Sequence, residues 1–387
     1  MVKRRSFIVF AVFLLLFSGL FPVAKAATAK DIPLSLTAQS AVLMDADGTI
    51  LFEKDAHKPL PPASVTKTMT LLLAVEAVDQ GKIQLTDQVT ASSHAVRQGG
   101  SQIWLEQGEK MSVYELLTAV AVVSANDAAV ALMEHIYGSE EAAIAAMNER
   151  AAALGLANTH FNSVNGLPVA NHYMSAYDTA LIVKEAVKYP LYLQVSGIKE
   201  YWLRGGKNWL VNTNKLLWWY DGADGLKTGW TEEAKYCFAG TAKRQNLRLI
   251  AVVFAAPEPR SHLKESMKLL DYGFSNYITL PVVAKGAVLE KVKVGKGVEH
   301  ELSLVAAEDL NLLLLKGQSK VIQKQMKLTE PLVAPIVQGQ KLGELTVMRE
   351  GKEAGTVDLV AAKSIEKAGF IQILQETFTH FFAIASE

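Results

Sequence analysis

A single cysteine, Cys237, excludes any disulfide within this chain of 387 residues. It lies in the apolar stretch Tyr236-Cys237-Phe238-Ala239, which predicts a buried, inert thiol. The eight histidines contain no His-Glu-x-x-His spacing, and the lone cysteine has no ligand partner in sequence. Neither a metal centre nor any other cofactor is therefore expected. His57, His94, His172 and His262 read as loop or surface residues, none of them a general base. An excess of positive charge is also missing, since 39 Lys/Arg face 39 Asp/Glu, and nothing points to nucleic acid as a partner. There is no internal repeat and no low-complexity tract. The apolar run Phe7 to Phe21 is short for a bilayer span. It follows Lys3-Arg4-Arg5 and precedes Ala24-Lys25-Ala26, the layout of a cleavable signal peptide over residues 1–26, which predicts export. Those residues hold four of the 39 basic side chains and none of the 39 acidic ones, so the remainder carries 35 against 39, a net −4.

What is present begins with a hairpin. Ala41-Val42-Leu43-Met44 and Thr49-Ile50-Leu51-Phe52 flank Asp45-Ala46-Asp47-Gly48, whose Asp-Gly is a strong turn signal. Residues 64–186 read as mostly helical, with segments at Tyr114–Val123, Ala128–Tyr137 and Glu140–Leu154. Strands return at Gly225–Gly229, Cys237–Lys243 and Arg248–Phe254, and a helix over Arg260–Tyr272 closes this part. The order predicts an α/β sandwich over residues 30–280, one antiparallel sheet with helices packed on it. Composition changes at Leu280-Pro281. Short alternating runs then predict a small all-β domain over residues 281–360, with no catalytic constellation and the role of a spacer or docking module. The segment Ser364–Glu387 places Phe370, Leu374, Phe378, Phe381 and Phe382 on one helical arc. It predicts an amphipathic helix that lies on a membrane surface without spanning it.

Three short motifs carry chemistry: Ser64-Val65-Thr66-Lys67, Ser124-Ala125-Asn126 and Lys227-Thr228-Gly229. Ser-x-x-Lys also occurs at Ser196, Ser261 and Ser364, and Ser-x-Asn recurs at Ser163, so context must separate the copies. Ser64 follows Pro61-Pro62-Ala63 and precedes the apolar run Met69 to Val75, the start of a buried helix. On such a helix Ser64 and Lys67, three residues apart, share a face. Ser64 is the candidate nucleophile and Lys67 its candidate base. The base must be neutral, which burial and a nearby cation such as Lys227 both favour. Ser124 and Asn126 break two apolar helices and can point into a cleft. Ser124 would relay a proton to the leaving amine and Asn126 would hydrogen-bond a substrate amide. Helix capping by Ser124, Asn126 or Asp127 is the competing reading. Lys227 and the Thr228 hydroxyl, on a strand edge, can hold a substrate carboxylate. Gly229 leaves the backbone bare for an extended peptide alongside. The backbone N–H groups of Ser64 and Trp230 would form an oxyanion hole, with the Trp230 indole at the rim. The second Ser-x-Asn, in the loop 162–168, reads as a turn.

The stretches Pro62-Ala63-Ser64-Val65-Thr66-Lys67, Ser124-Ala125-Asn126-Asp127-Ala128, Asn212-Thr213-Asn214-Lys215-Leu216 and Asp224-Gly225-Leu226-Lys227-Thr228-Gly229 resemble the serine-type D-alanyl-D-alanine carboxypeptidases, the low-molecular-mass penicillin-binding proteins. The likeness covers residues 30–280, with the β domain and amphipathic tail similar more loosely to that family's layout. It implies a β-lactamase/transpeptidase-like fold, a peptidoglycan stem peptide ending in D-Ala-D-Ala as substrate, and β-lactams as covalent inhibitors acylating Ser64. Trp230, where some members have histidine, resembles the sporulation-associated enzymes. Three alternatives stay open: a β-lactamase, an endopeptidase on cross-links, and a non-catalytic module that binds cell-wall peptides. Against the first, residues 151–177 contain no Asp or Glu to drive deacylation through water, and Asp178 reads as part of a capping box with Ser175.

Overall fold

The computed structural model describes residues 34–369. The predicted signal peptide and most of the predicted tail helix lie outside them. A five-stranded antiparallel sheet runs in the order Ile50–Lys54, Ser40–Asp45, Leu247–Ala256, Lys235–Arg244, Ala223–Thr231. Both of its faces are covered, so strand residues of either parity are apolar. Val42, Met44, Ile250, Val252 and Phe254 turn to one core, and Ala41, Leu43, Leu249, Ala251 and Val253 to another. The first core holds the helices Lys67–Asp79, Val113–Val123, Asn126–Tyr137 and Ala176–Ala186, and the second is closed by the helix Ser261–Asn276. The expected sandwich is the observed one.

Burial explains the helix at the centre. Lys67–Asp79 is buried from Lys67 to Ala77, so its sequence is apolar all round and shows no amphipathic stripe. Its neighbours are amphipathic or short. Ser112 caps Val113–Val123 in a reciprocal box with Glu115. The strand Ala223–Thr231, which carries Lys227-Thr228-Gly229, is the sheet's edge, and the turn containing Ser64 packs against it. Cys237 is buried on the neighbouring strand opposite Gly229, its Sγ 3.4 Å from the Ala234 carbonyl, and burial pushes the thiol up to about 12.

From Tyr277 to residue 369 no helix occurs among the described residues. Tyr277–Val283 pairs with Leu310–Leu315, and five strands form a second sheet in the order Val288–Lys293, Glu301–Ala306, Lys352–Ala361, Lys341–Arg349, Gln323–Leu328. Leu302, Leu304, Leu312, Leu314, Val347 and Leu359 make its separate core. One expectation needs correction here. The first residues of the predicted tail helix, 364–369, are not helical: Ile365 bridges Ile336 and Lys367 bridges Gly297. Ile365 is buried in the β core, which uses its side chain and backbone in an extended conformation. No helix of the described residues is long and apolar enough to cross a membrane.

Candidate active site

Ser64 lies in a single 3-10 turn, Ala63–Thr66, that runs straight into the helix Lys67–Asp79. This is tighter than the expected α-helical start. In a 3-10 turn residues three apart eclipse, and Lys67 Nζ comes to 3.0 Å from Ser64 Oγ. The same amine donates to the backbone carbonyl of Asn165 at 2.6 Å. Lys67 is fully buried. Burial first, and the Lys227 charge second, hold its pKa well below the ordinary lysine value, against a smaller opposing pull from Asp127. Lys227 is buried as well, which brings it down to about 7. Its Nζ donates to the Thr228 carbonyl at 2.9 Å, while Thr228 and Thr213 join hydroxyls at 2.9 Å.

The helix Val113–Val123 stops because Ser124 takes a left-handed conformation, φ 63° and ψ 31°, and the chain resumes as a helix at Asn126. The Ser124 hydroxyl is buried with no partner, and so is Oδ1 of Asn126, whose Nδ2 donates to the Gly99 carbonyl at 2.7 Å. Buried polar groups ordinarily find partners within the protein, so a free hydroxyl and a free amide oxygen two residues apart are uncommon. Capping does not account for them. The N-cap of the second helix is Ala125, with no side-chain bond, while Asp127 accepts from the first-turn N–H of Ala128 at 2.9 Å and has a second task. Its carboxylate accepts from the backbone N–H of Ile103 and Leu105 and so pins the loop bearing Ser101.

Ser64, Ser101, Ser124, Thr213, Thr228, Gly229 and Trp230 line one cleft of ≈ 420 Å³, with Lys215, Trp219, Tyr236, Arg260 and His262 further along it. Lys67, Asn126 and Lys227 are buried and leave little surface of their own in it. Gly229 needs its missing side chain for a reason other than the one predicted. A Cβ there would lie 2.9 Å from the Pro62 carbonyl oxygen and 3.0 Å from the Ser64 nitrogen, so the bare face is pressed against the turn that carries Ser64 and does not open onto the groove.

Several participants gave no signal in the sequence. Asn165 does sit in a turn, with Ser163 Oγ accepting from its N–H and from that of Gly166. That turn nevertheless supplies the carbonyl that holds Lys67, and the Asn165 side chain is fixed by Gln98 at 2.9 Å. The Asn-Gly pair marks a turn, but nothing in it reveals what the carbonyl will meet. Thr213 does lie in one of the stretches that carry the resemblance, but nothing there reveals that its hydroxyl meets Thr228. Of the histidines His262 needs correction, being buried on a helix. His57 is exposed and His94 pairs with Glu134 at 2.9 Å, but His172 and His262 are buried. His172 Nδ1 accepts from Asn162 N–H, so Nε2 carries the hydrogen and donates to Thr66 Oγ1 at 2.7 Å, which donates in turn to the Ala63 carbonyl. Burial lowers His172 to about 4, so it braces the turn as a neutral ring. His262 stacks on Tyr236 at 5.3 Å on a helix, where its ring found space in the cleft wall. The Ser175–Asp178 capping box is half made: Ser175 caps its helix, but Asp178 turns to Asn158 and Thr159.

Two family profiles match the chain: peptidase S11, D-alanyl-D-alanine carboxypeptidase, over residues 24–258, and the C-terminal domain of penicillin-binding protein 5 over residues 277–367. The D-alanyl-D-alanine carboxypeptidase DacF of Bacillus subtilis (strain 168) is 44% identical over 345 residues, covering 88% of this chain and 89% of its own length. DacC of Escherichia coli (strain K12), of the same description, is 35% identical over 368 residues, 92% of this chain and 91% of its own. Among solved structures, penicillin-binding protein 5 from Haemophilus influenzae superimposes with a TM-score of 0.73 at 33% identity, covering 87% of this chain and 99% of that one. Together with a serine, a buried lysine and two unpartnered polar groups around one cleft, these likenesses settle the family: the chain belongs to the S11 D-alanyl-D-alanine carboxypeptidases.

Proposed function

We propose that the protein removes the terminal D-alanine from peptidoglycan stem peptides through an acyl-enzyme on Ser64. The observation that carries this reading is the buried amine of Lys67 at 3.0 Å from Ser64 Oγ. A neutral amine there accepts the serine proton as Oγ attacks the carbonyl carbon of the penultimate D-alanine. The negative oxygen that forms would be met by the backbone N–H groups of Ser64 and Trp230, a pairing supported by the close approach of Gly229, the residue before Trp230, to the Ser64 nitrogen. The C–N bond then breaks, and the proton held by Lys67 passes through the Ser124 hydroxyl to the leaving amine. Asn126 Oδ1 accepts from a peptide N–H of the substrate. Lys227 in its charged form and the Thr228 hydroxyl hold the terminal carboxylate, and that anion favours the charged lysine over the neutral one. In the second half-reaction the Lys67/Ser124 pair takes a proton from water as it attacks the ester, and Ser64 Oγ leaves with a proton returned.

The same acylation would trap β-lactams. No carboxylate lines the cleft among the described residues, and residues 151–177 contain none, which favours a carboxypeptidase over a β-lactamase. Mass spectrometry of the protein incubated with a stem pentapeptide tests the reading, since loss of one D-alanine and an adduct at Ser64 are expected together. Ser64→Ala should abolish both, and D-alanine release by that variant would overturn the assignment. We further propose export through residues 1–26 and membrane attachment through the C-terminal segment. Deleting residues 364–387 should release the protein from membranes, and unchanged sedimentation would remove that claim.

A further inference from the structure

Ala63, the residue before the nucleophile, has a φ of 46°, a left-handed conformation that favours glycine. Such strain persists only where the surroundings enforce it. The carbonyl of this residue ends a chain of three hydrogen bonds that begins far away in sequence. Asn162 N–H donates to His172 Nδ1 at 3.0 Å, His172 Nε2 donates to Thr66 Oγ1 at 2.7 Å, and Thr66 Oγ1 donates to the Ala63 carbonyl at 2.8 Å. All three point the same way, so each polarises the next. Thr66 is fully buried and His172 nearly so, and breaking the chain would leave buried polar groups unsatisfied.

The same ring reaches the base. Asn162 opens the loop whose Asn165 carbonyl accepts from Lys67 Nζ at 2.6 Å. Gly166, next in that loop, has a φ of 84° and lies against the turn of Ser64. A Cβ on it would stand 1.9 Å from the Ala63 oxygen and 2.7 Å from Thr66 Oγ1. Thr70, on the central helix, donates to the Val164 carbonyl of this loop at 2.5 Å. Loop, turn and helix are therefore one packed unit around Lys67. A neutral amine has two hydrogens and one lone pair. With one hydrogen committed to the Asn165 carbonyl, the lone pair is free to face Ser64 Oγ, 3.0 Å away. Burial first, then His160 and Lys67, disfavour a charge on the His172 ring, which must stay neutral to accept at one nitrogen and donate at the other.

We infer that His172 is a positioning residue for acyl transfer, holding nucleophile and base in register from one ring. Through Thr66 it fixes the turn of Ser64, and through Asn162 it fixes the loop that aims the Lys67 amine. The inference rests on the Ser64/Lys67 reading of the cleft, and adds to it a residue that touches neither substrate nor the reacting atoms.

The test resolves labelling of the full chain by a fluorescent penicillin, in stopped flow, into non-covalent binding and the acylation step. His172→Leu keeps much of the ring's bulk and neither hydrogen bond, so the acylation step should slow by about 10²-fold with binding unchanged. His172→Gln carries an amide N–H to the reach of Nε2 and should keep most of the rate. Thr66→Val should match the Leu variant, and the two together should be no worse than either, because both break one chain. A purely structural ring would lower the melting temperature and leave the acylation step of the folded protein unchanged, which would overturn the inference. Additive losses, or a Gln variant as slow as the Leu one, would overturn it too. Should the Leu variant not fold, NMR of labelled histidine nitrogens in the wild type decides. A neutral ring with its hydrogen on Nε2 supports the chain, and a hydrogen on Nδ1 at neutral pH ends it. If the wild type is not acylated at all, the Ser64 reading fails by itself, and the same NMR signature still decides the chain.

Discussion

Gly229→Ala tests the geometry of the site without touching a reactive group. The backbone at Gly229 does not require glycine, because its φ is not among the positive values of the chain. The space does. The new methyl would meet the Pro62 oxygen at 2.9 Å and the nitrogens of Ser64 and Val65 at 3.0 Å, where ordinary contact starts at 3.4 Å. All three are backbone atoms of a short turn between prolines and a buried helix, so none can rotate away. Strand and turn must separate by about 0.5 Å, which is the whole tolerance of a catalytic constellation. The Ser64 N–H belongs to the displaced turn and the Trp230 N–H to the displaced strand. Losing one oxyanion donor costs about 10²–10³ in rate, so acylation by a fluorescent penicillin should slow by about that factor. Overpacking should lower stability by about 1–3 kcal/mol, leaving the protein folded at assay temperature. Stopped-flow labelling and a melting curve measure the two effects separately. An unchanged acylation rate in a folded variant would refute the claim that this contact sets the oxyanion hole.

Lys67→Arg replaces the base with a cation that is always charged, and kcat should fall by about 10²–10⁴. The pH profile follows from the two lysines. In the free enzyme kcat/KM should fall on the acid side as Lys67 gains a proton, and on the alkaline side above about 7 as Lys227 loses its own; Lys227→Arg should flatten the alkaline limb. Nitrocefin should acylate the protein once and leave slowly, so steady turnover would contradict the absence of a deacylating carboxylate. Asp127→Ala should strand the buried N–H groups of Ile103 and Leu105 and lower stability by about 3 kcal/mol in a denaturant titration.

What could be read in advance divides along a physical line. Ser64, Lys67, Ser124, Asn126 and Lys227 stand in short segments whose local pattern already sets their neighbours: prolines before a buried helix, polar residues at a break between apolar helices, a lysine on a strand. The sheet was legible for the same reason, as Leu249–Ala256 is apolar at every position. Contacts made by backbone atoms across long sequence separations were not. The Asn165 carbonyl meets Lys67 across 98 residues, and a backbone carbonyl demands no residue type at its position. Gly229 was rightly singled out but for the wrong neighbour, because composition shows that a Cβ is excluded without showing by what. His172 lies in a loop as expected and His262 on a helix, and the burial of both was not legible because an isolated histidine carries no periodic signal. The tail helix failed at its start because Ile365 has a place in the β core that helical periodicity cannot register.

The sealed thiol of Cys237 gives the protein a built-in gauge of its own opening. Reagents that alkylate thiols should pass over the native molecule, because Sγ is enclosed near the Pro61 and Ala234 carbonyls and is unreactive until the strand pair beside Gly229 comes apart. With no second sulfhydryl to confuse the count, the alkylation rate reports how often that part of the sheet breathes. A drug bound at Ser64, whose turn lies over Gly229 and Cys237 alike, should slow that rate in proportion to how firmly it clamps the strand to the turn.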